Sequence, residues 1–137
     1  MKKKILVVDD DHQIVKLLGI RLKINNYEVI NAYDGYQCVQ LAETESPDLI
    51  LLDIKMPLRG GISAFEILKS THTTEMIPVI FITAFPTPEI KRQVIKMGAK
   101  DFISKPYNGD VLMEKINTIL NNKNVSWAID SDKSEQK

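Results

Sequence analysis

Short, wholly apolar runs alternate with apolar residues at helical spacing along most of this chain. Ile5-Leu6-Val7-Val8, Leu49-Ile50-Leu51-Leu52 and Val79-Ile80-Phe81-Ile82 contain no polar residue. Runs of that kind predict strands buried on both faces, because a half-exposed strand would alternate. Val29-Ile30 and Phe102-Ile103 predict shorter strands, and the polar neighbours of the first are those of an edge strand. Between the strands, Ile14, Leu17, Leu18 and Leu22 recur at helix spacing and stop at Asn25-Asn26. Cys38, Leu41 and Ala42 mark a second helix that stops before Pro47, and Gly61, Phe65 and Leu68 mark a third. Ile90, Val94 and Met97 carry a fourth, ended by Gly98; Leu112, Ile116, Ile119 and Leu120 carry a fifth. Five strands alternating with five helices predict an α/β domain, a doubly wound parallel sheet with helices on both faces. Right-handed crossovers leave few topologies, and 2-1-3-4-5 is a common order for five strands. The periodicity stops at Asn121, so residues 1–121 are expected to fold and residues 122–137 to form a polar, mobile tail.

Composition narrows the picture mostly by exclusion. A chain of 137 residues is one domain by length, with enough apolar content for a core. The formal net charge of +0 gives no bulk attraction to nucleic acid or to an anionic membrane. Lys2-Lys3-Lys4 runs straight into the first strand and reads as a solvated lead-in. The lone Cys38 excludes an internal disulfide framework, and its place on a helix stripe makes it a small core residue rather than a nucleophile. No apolar stretch is long enough to span a bilayer and no signal peptide precedes the first strand, so a soluble, cytoplasmic protein is expected. Trp127, in the tail, reads as a loose contact.

In a parallel sheet all strand carboxyl ends share one rim, and here those ends are chemically unusual. The first strand runs into Asp9-Asp10-Asp11, the third into Asp53, the fourth into Thr83-Ala84 and the fifth into Lys105-Pro106. In the order 2-1-3-4-5 these strands are neighbours, and the crevice at the switch point falls between the first and third. Each residue has an ordinary role by itself: Asp11 caps the first helix, Thr83 bonds within a turn, Lys105 is a surface lysine. Their conjunction on adjacent strand ends is what points to chemistry. Carboxylates about 4 Å apart repel by roughly 4 kcal/mol per pair at an effective dielectric of 20. Lys105 offsets one such charge, and a hard divalent cation with oxygen ligands, Mg²⁺ above all, offsets two. An ionised aspartate beside such a cation is a competent oxygen nucleophile toward phosphorus, with Thr83 and Lys105 placed for the transferred oxygens.

Val7-Val8-Asp9-Asp10, Leu51-Leu52-Asp53-Ile54-Lys55-Met56-Pro57, Ile82-Thr83-Ala84 and Lys105-Pro106 together resemble the receiver domain of two-component response regulators, over residues 4–121. The resemblance implies the flavodoxin-like sheet order. It implies that Asp53 accepts a phosphoryl group from a sensor histidine kinase or a histidine-phosphotransfer protein, becoming a 4-aspartylphosphate. It implies Mg²⁺ held directly by Asp10, Asp53 and the main-chain carbonyl of Lys55, and through water by Asp9. Thr83 would bond the phosphoryl group, Lys105 would pair with it, and Phe102 would be the aromatic switch that turns inward when Thr83 moves. The Lys105-Pro106 bond would be cis. The switched surface would be the fourth helix, fifth strand and fifth helix, read by a downstream target or output domain or by a second copy in a homodimer. Such a domain is a phosphoacceptor in a phosphorelay rather than an enzyme with an external substrate, beyond its Mg²⁺-dependent self-phosphorylation and autodephosphorylation. It binds neither nucleic acid nor membrane.

Departures from the family pattern are modest. Leu58-Arg59-Gly60 replaces the more usual Gly-Met-Asp before Gly61, Phe102 replaces the commoner Tyr, and Phe85-Pro86 after Ala84 is bulky and stiff. Gly61 is a natural choice if the chain there needs positive φ. Lys55 and Phe85 are expected to flank the path of water to a phosphorylated Asp53. A haloacid-dehalogenase-like phosphatase would use Asp9 and Asp11, but Gln13 stands where that motif wants Thr or Val, and Asp53 would have no role. A flavodoxin-like FMN binder would need a Ser/Thr/Gly phosphate loop where this chain has an acidic triplet. A receiver acting as a binding module without phosphorylation would have no use for the full set of Asp9, Asp10, Asp53, Thr83 and Lys105.

Overall fold

The structure, a computed structural model, describes residues 2–56 and 58–121. Pro57 and the expected tail, with Trp127, lie outside the described residues. Ten elements alternate as the apolar pattern predicts: β1 (Lys4–Val8), α1 (His12–Ile24), β2 (Glu28–Ala32), α2 (Gly35–Glu45), β3 (Leu49–Asp53), α3 (Gly61–Lys69), β4 (Val79–Thr83), α4 (Pro88–Lys96), β5 (Asp101–Ser104) and α5 (Gly109–Asn121). The strands form one parallel sheet in the order β2-β1-β3-β4-β5. The expected doubly wound order is therefore found, with β2 on an edge. The first compact unit ends at Tyr107 and contains the whole sheet; α5 belongs to a second unit beginning at Asn108.

The all-apolar runs are buried because both of their faces meet other side chains. Side chains alternate along a strand, so Leu6, Val8, Ile50, Leu52, Val79 and Phe81 point one way. They share a core with Cys38 and Ala42 of α2, Ala64, Phe65 and Leu68 of α3, and Val94 of α4. Phe65 meets Phe81 edge-on, with ring centroids 5.1 Å apart. Ile5, Val7, Leu49, Leu51, Ile80 and Ile82, of the opposite parity, are buried as well. Ile14 and Leu18 of α1 line a small cavity together with Val7, Leu51 and Ile82 on that side. Each such aliphatic side chain contributes roughly 1.5–3 kcal/mol on leaving water.

Local signals set the ends. The Asp11 carboxylate caps α1, accepting from the Gln13 and Ile14 amides at 3.0 and 3.3 Å. Asp34 caps α2 through the Gln37 amide, and Thr87 caps α4 through Ile90. Asn26 (φ 72°), Ser46 (φ 49°) and Gly98 (φ 113°) turn the chain after α1, α2 and α4. In α5, the Asn108 side chain accepts from the Asp110 amide, and Leu112, Met113, Ile116 and Leu120 are buried.

Two expectations are refined. The buried stripe of α1 is Val15, Leu18 and Leu22, whereas Leu17 is 63% exposed. That helix has more apolar residues than one face can hold, so spacing alone does not choose the inner stripe. Gly61 is also not a positive-φ residue; the left-handed position in its loop is Leu58, at φ 65°. Gly61 is required by crowding: a Cβ there would overlap the Asp53 carbonyl oxygen and lie 2.9 Å from Ile54 Cα. Gly61→Ala should therefore lower unfolding free energy by about 2–3 kcal/mol, the cost of forcing an atom into a closed backbone contact. Urea denaturation checks this, and a loss no larger than that at an exposed helical glycine would contradict it.

Candidate functional site

The strand register builds the site. Val8 pairs with Leu52 across β1 and β3, so Asp9 and Asp53 leave the sheet side by side. Asp53 lies opposite Ile82, one residue before Thr83, and Thr83 lies opposite Ser104, one residue before Lys105. Each strand end thus delivers its polar residue to the same rim. The Lys105 amide donates to the Thr83 carbonyl at 2.7 Å, which ties the last two together. The Lys105-Pro106 bond is cis, as the resemblance implies.

Asp9, Asp10 and Asp53 each offer a carboxylate oxygen, and these atoms lie within 4.8 Å of one another. Asp9 and Asp53 are buried and Asp10 is exposed. The Lys105 ammonium donates to Asp9 Oδ2 at 2.7 Å and stands 3.6 Å from Asp53 Oδ2. Asp9 Oδ1 accepts the Asp11 amide at 3.0 Å, so both oxygens of Asp9 have protein partners. Thr83 is buried, and its hydroxyl accepts the Phe85 amide at 3.1 Å. Phe102 is half-buried against the core shared with α2 and α3. The Lys55 ammonium lies 4.8 Å from the centre of the Phe85 ring, which brings the loop after β3 against the loop after β4.

The charges do not balance. Three ionised carboxylates against one ammonium leave two negative charges at the rim. Burial, and then the field of Asp9, push the Asp53 carboxyl up from 3.8 to about 6, against the opposing pull of Lys105. For Lys105, burial disfavours the ammonium, but the bond to Asp9 and the fields of Asp53 and Asp9 outweigh it and raise its pKa. An all-oxygen donor set with two uncompensated negative charges is the chemistry that a hard divalent cation fits. Cys38 offers no competing centre: it is buried and its thiol is pushed up to about 12.

The residues expected from the sequence at this rim, Asp9, Asp10, Asp53, Thr83 and Lys105, are thus carried to it by their strands. Sequence reasoning missed Tyr107, which lines a small cavity with Asp9, Asp53 and Lys105. Its signal was an aromatic residue directly after Lys105-Pro106. It also missed that Arg59 joins the loop after β3 to α2.

Residues 5–117 match the response regulator receiver domain. The chain is 36% identical over 126 residues to the alkaline phosphatase synthesis transcriptional regulatory protein PhoP of Bacillus subtilis, covering 92% of this chain and 52% of PhoP. It is 39% identical over 117 residues to the transcriptional regulatory protein CpxR of Escherichia coli K12, covering 85% of this chain and 49% of CpxR. The chain therefore spans about half the length of these curated relatives. The solved receiver domain of the Francisella response regulator 1452 superposes with a TM-score of 0.82 at 30% identity, over 88% of this chain and 98% of that one.

The raised pKa of Asp53 has a consequence for stability. In the cation-free protein the folded state holds this proton up to about pH 6, whereas the unfolded chain releases it near 3.8. Between those values the folded state binds more protons, so stability falls as pH rises through that window and levels off above it. Asp53→Asn should remove this slope. At pH 7.5 with EDTA it should stabilise the fold by about 1–2 kcal/mol, the shift being discounted for water at the rim. Urea unfolding from pH 4.5 to 7.5 measures both, and a wild-type slope of the opposite sign would contradict the assignment.

Proposed function

The chain belongs to the response regulator receiver domain family, and we propose that Asp53 is its phosphoacceptor, taking a phosphoryl group from a phosphohistidine of a sensor kinase or phosphotransfer protein. The observation that carries this reading is the cluster itself: a buried aspartate at a strand end, two further carboxylates within 4.8 Å, and a lysine bridging two of them. An Asp53 carboxylate oxygen attacks phosphorus, the N–P bond of the donor imidazole breaks, and the bonding electrons leave with the imidazole nitrogen, which takes a proton. Asp10, Asp53 and the main-chain carbonyl of Lys55 would hold Mg²⁺. Asp9, whose oxygens are engaged by Lys105 and the Asp11 amide, would reach it through water. When bound, the cation offsets the charge that develops on the transferred oxygens. Lys105, poised between Asp9 and Asp53, would pair with the phosphoryl group, and Thr83 would donate its hydroxyl.

The Thr83 hydroxyl can donate to a phosphoryl oxygen while its lone pairs still accept the Phe85 amide, so a shift of that hydroxyl toward the phosphoryl group would pull on the loop after β4. The loop after β4 would follow, with Phe102 filling the space, so that α4 and β5 present a changed surface. That surface would engage an output domain, a separate target or a second copy. PhoP and CpxR, by their names, regulate transcription, so a DNA-binding output partner fits this family context; the domain itself carries no basic surplus for nucleic acid. Leu17, Ile20 and Ile24 form an exposed apolar stripe on α1, bordered by Lys16, Arg21 and Lys23, which would supply docking surface for the phosphodonor domain. Among the described residues no helix is long and apolar enough to cross a membrane.

Acetyl phosphate with Mg²⁺ should phosphorylate the wild-type protein at one site, mapped to Asp53 by borohydride trapping and mass spectrometry. Asp53→Asn should reduce labelling to background; undiminished labelling of that variant would overturn the assignment. The lifetime of the phosphorylated state should depend on the Lys55–Phe85 contact beside the acceptor. Phe85→Ala and Lys55→Ala should each speed loss of phosphate by about 3–10-fold, by opening a path for water. Unchanged decay rates in both variants would show that this contact does not shield the site.

A further inference from the structure

Leu58-Arg59-Gly60, where the sequence departs from its family, forms a set of contacts that the phosphoacceptor chemistry does not by itself explain. The Arg59 guanidinium lies over the Tyr36 ring, 4.7 Å from its centre, and donates to the Ser63 hydroxyl at 2.9 Å. Its carbonyl accepts the Gly35 amide at 2.9 Å. The approach is so close that a Cβ on Gly35 would overlap the Arg59 carbonyl oxygen. One residue therefore fastens the first turn of α2 and the first turn of α3 to the end of the loop.

Immediately beyond Arg59, Gly60 and Gly61 form the seat of the nucleophile's backbone. The Gly61 amide donates to the Ile54 carbonyl at 2.8 Å, and Gly61 lies against the Asp53 carbonyl with no space for a side chain. A Cβ on Gly60 would come within 3.3 Å of the Ile54 carbonyl oxygen. Glycines constrain their own backbone least. Something outside them must keep the seat closed, and the Arg59 side chain, gripping Tyr36 on one helix and Ser63 on the next, is placed to do so.

We propose that Arg59 is a positioning residue for the phosphoacceptor: its stack on Tyr36 and its bond to Ser63 hold the Gly60-Gly61 seat against the backbone of Asp53 and Ile54, and so preset the carboxylate for cation binding. It acts through backbone and touches no reacting atom. Preorganisation of this kind lowers the ordering cost of binding without adding a contact. Outer contacts of this type commonly govern the affinity of a metal site.

The proposal rests on the reading of Asp53 as part of a Mg²⁺-dependent phosphoacceptor, and the experiment separates the two. Mg²⁺ is titrated into the full chain, with the midpoint read from the backbone amide signals of Asp53, Ile54 and Gly61 by NMR. Asp10→Asn serves as the control for the cation site. Arg59→Ala and Tyr36→Leu should each raise the midpoint by about 2–5-fold, the range of an exposed cation–π contact. The double variant should be no worse than the more affected single one, because both break one contact. Arg59→Lys, which keeps the charge but lacks the fork that reaches Ser63, should fall between. Tyr36 is exposed, so Tyr36→Leu keeps the test valid if Arg59→Ala unfolds. Absence of saturable binding by the wild type would overturn the cation reading itself. Wild-type binding with midpoints unchanged in both single variants, or with fully additive effects, would overturn the role of Arg59 alone.

Discussion

A net surplus of two negative charges governs the rim of this sheet. Asp9, Asp10 and Asp53 bring three carboxylates within 4.8 Å, and Lys105 answers one of them. The upward displacement of Asp53 to about 6 expresses its burial first and the charge of Asp9 second. A protein selected for stability alone would place an asparagine or a second lysine here. On the proposed reading, the residual charge is the feature that would make the site receptive, first to a divalent cation and then, with that cation, to a phosphoryl group. Destabilisation and function have one cause, which is common where like charges are held together for chemistry.

Holding such a cluster requires a rigid base, and β3 supplies it. Leu49 to Leu52 are buried with pairing strands on either side, so the end of β3 cannot retreat from its neighbours to relieve the repulsion. The register then sets the level at which each polar residue emerges, and Gly61 closes on the backbone of Asp53 where a side chain would not fit. The apolar core and the charged rim are two halves of one arrangement. Burial of the strands is what makes the carboxylates hold their positions.

Much of this was legible because it follows from period and order. Unbroken apolar runs announce doubly covered strands, and alternation with helices leaves few sheet orders, so Asp9, Asp53, Thr83 and Lys105 could be assigned to one rim from the sequence. Less legible was whatever depends on approach between segments distant in sequence. Gly61 looked like a turn glycine, but its reason is contact with Asp53, eight residues earlier in the chain; no local pattern distinguishes crowding from positive φ. Leu17 and Leu18 are equivalent in hydropathy, and only the orientation of α1 against β1 buries Leu18 and exposes Leu17. Arg59 read as a departure from a loop motif. Its partners Gly35 and Tyr36 lie on another helix, where spacing gives no sign of them.

The same contacts bear on how a charge event at Asp53 would reach the surface. Thr83 and Lys105 are both engaged in the structure, Thr83 with the Phe85 amide and Lys105 with Asp9. Taking up a phosphoryl oxygen need not break either bond, because the Thr83 hydroxyl still has a proton to donate and the ammonium has further N–H groups, but it would shift each side chain. For Lys105 the change is small, since Asp53 already lies 3.6 Å away on its other side. For Thr83 it reaches further, because the Phe85 amide it accepts belongs to the loop after β4, and that loop also carries the ring beneath Lys55. The Lys55–Phe85 contact therefore links the loops after β3 and β4. One end of the coupling is the backbone seat of the acceptor and the other is the start of α4. A two-state element needs such a shared constraint, in which moving one group moves the partner bonded to it.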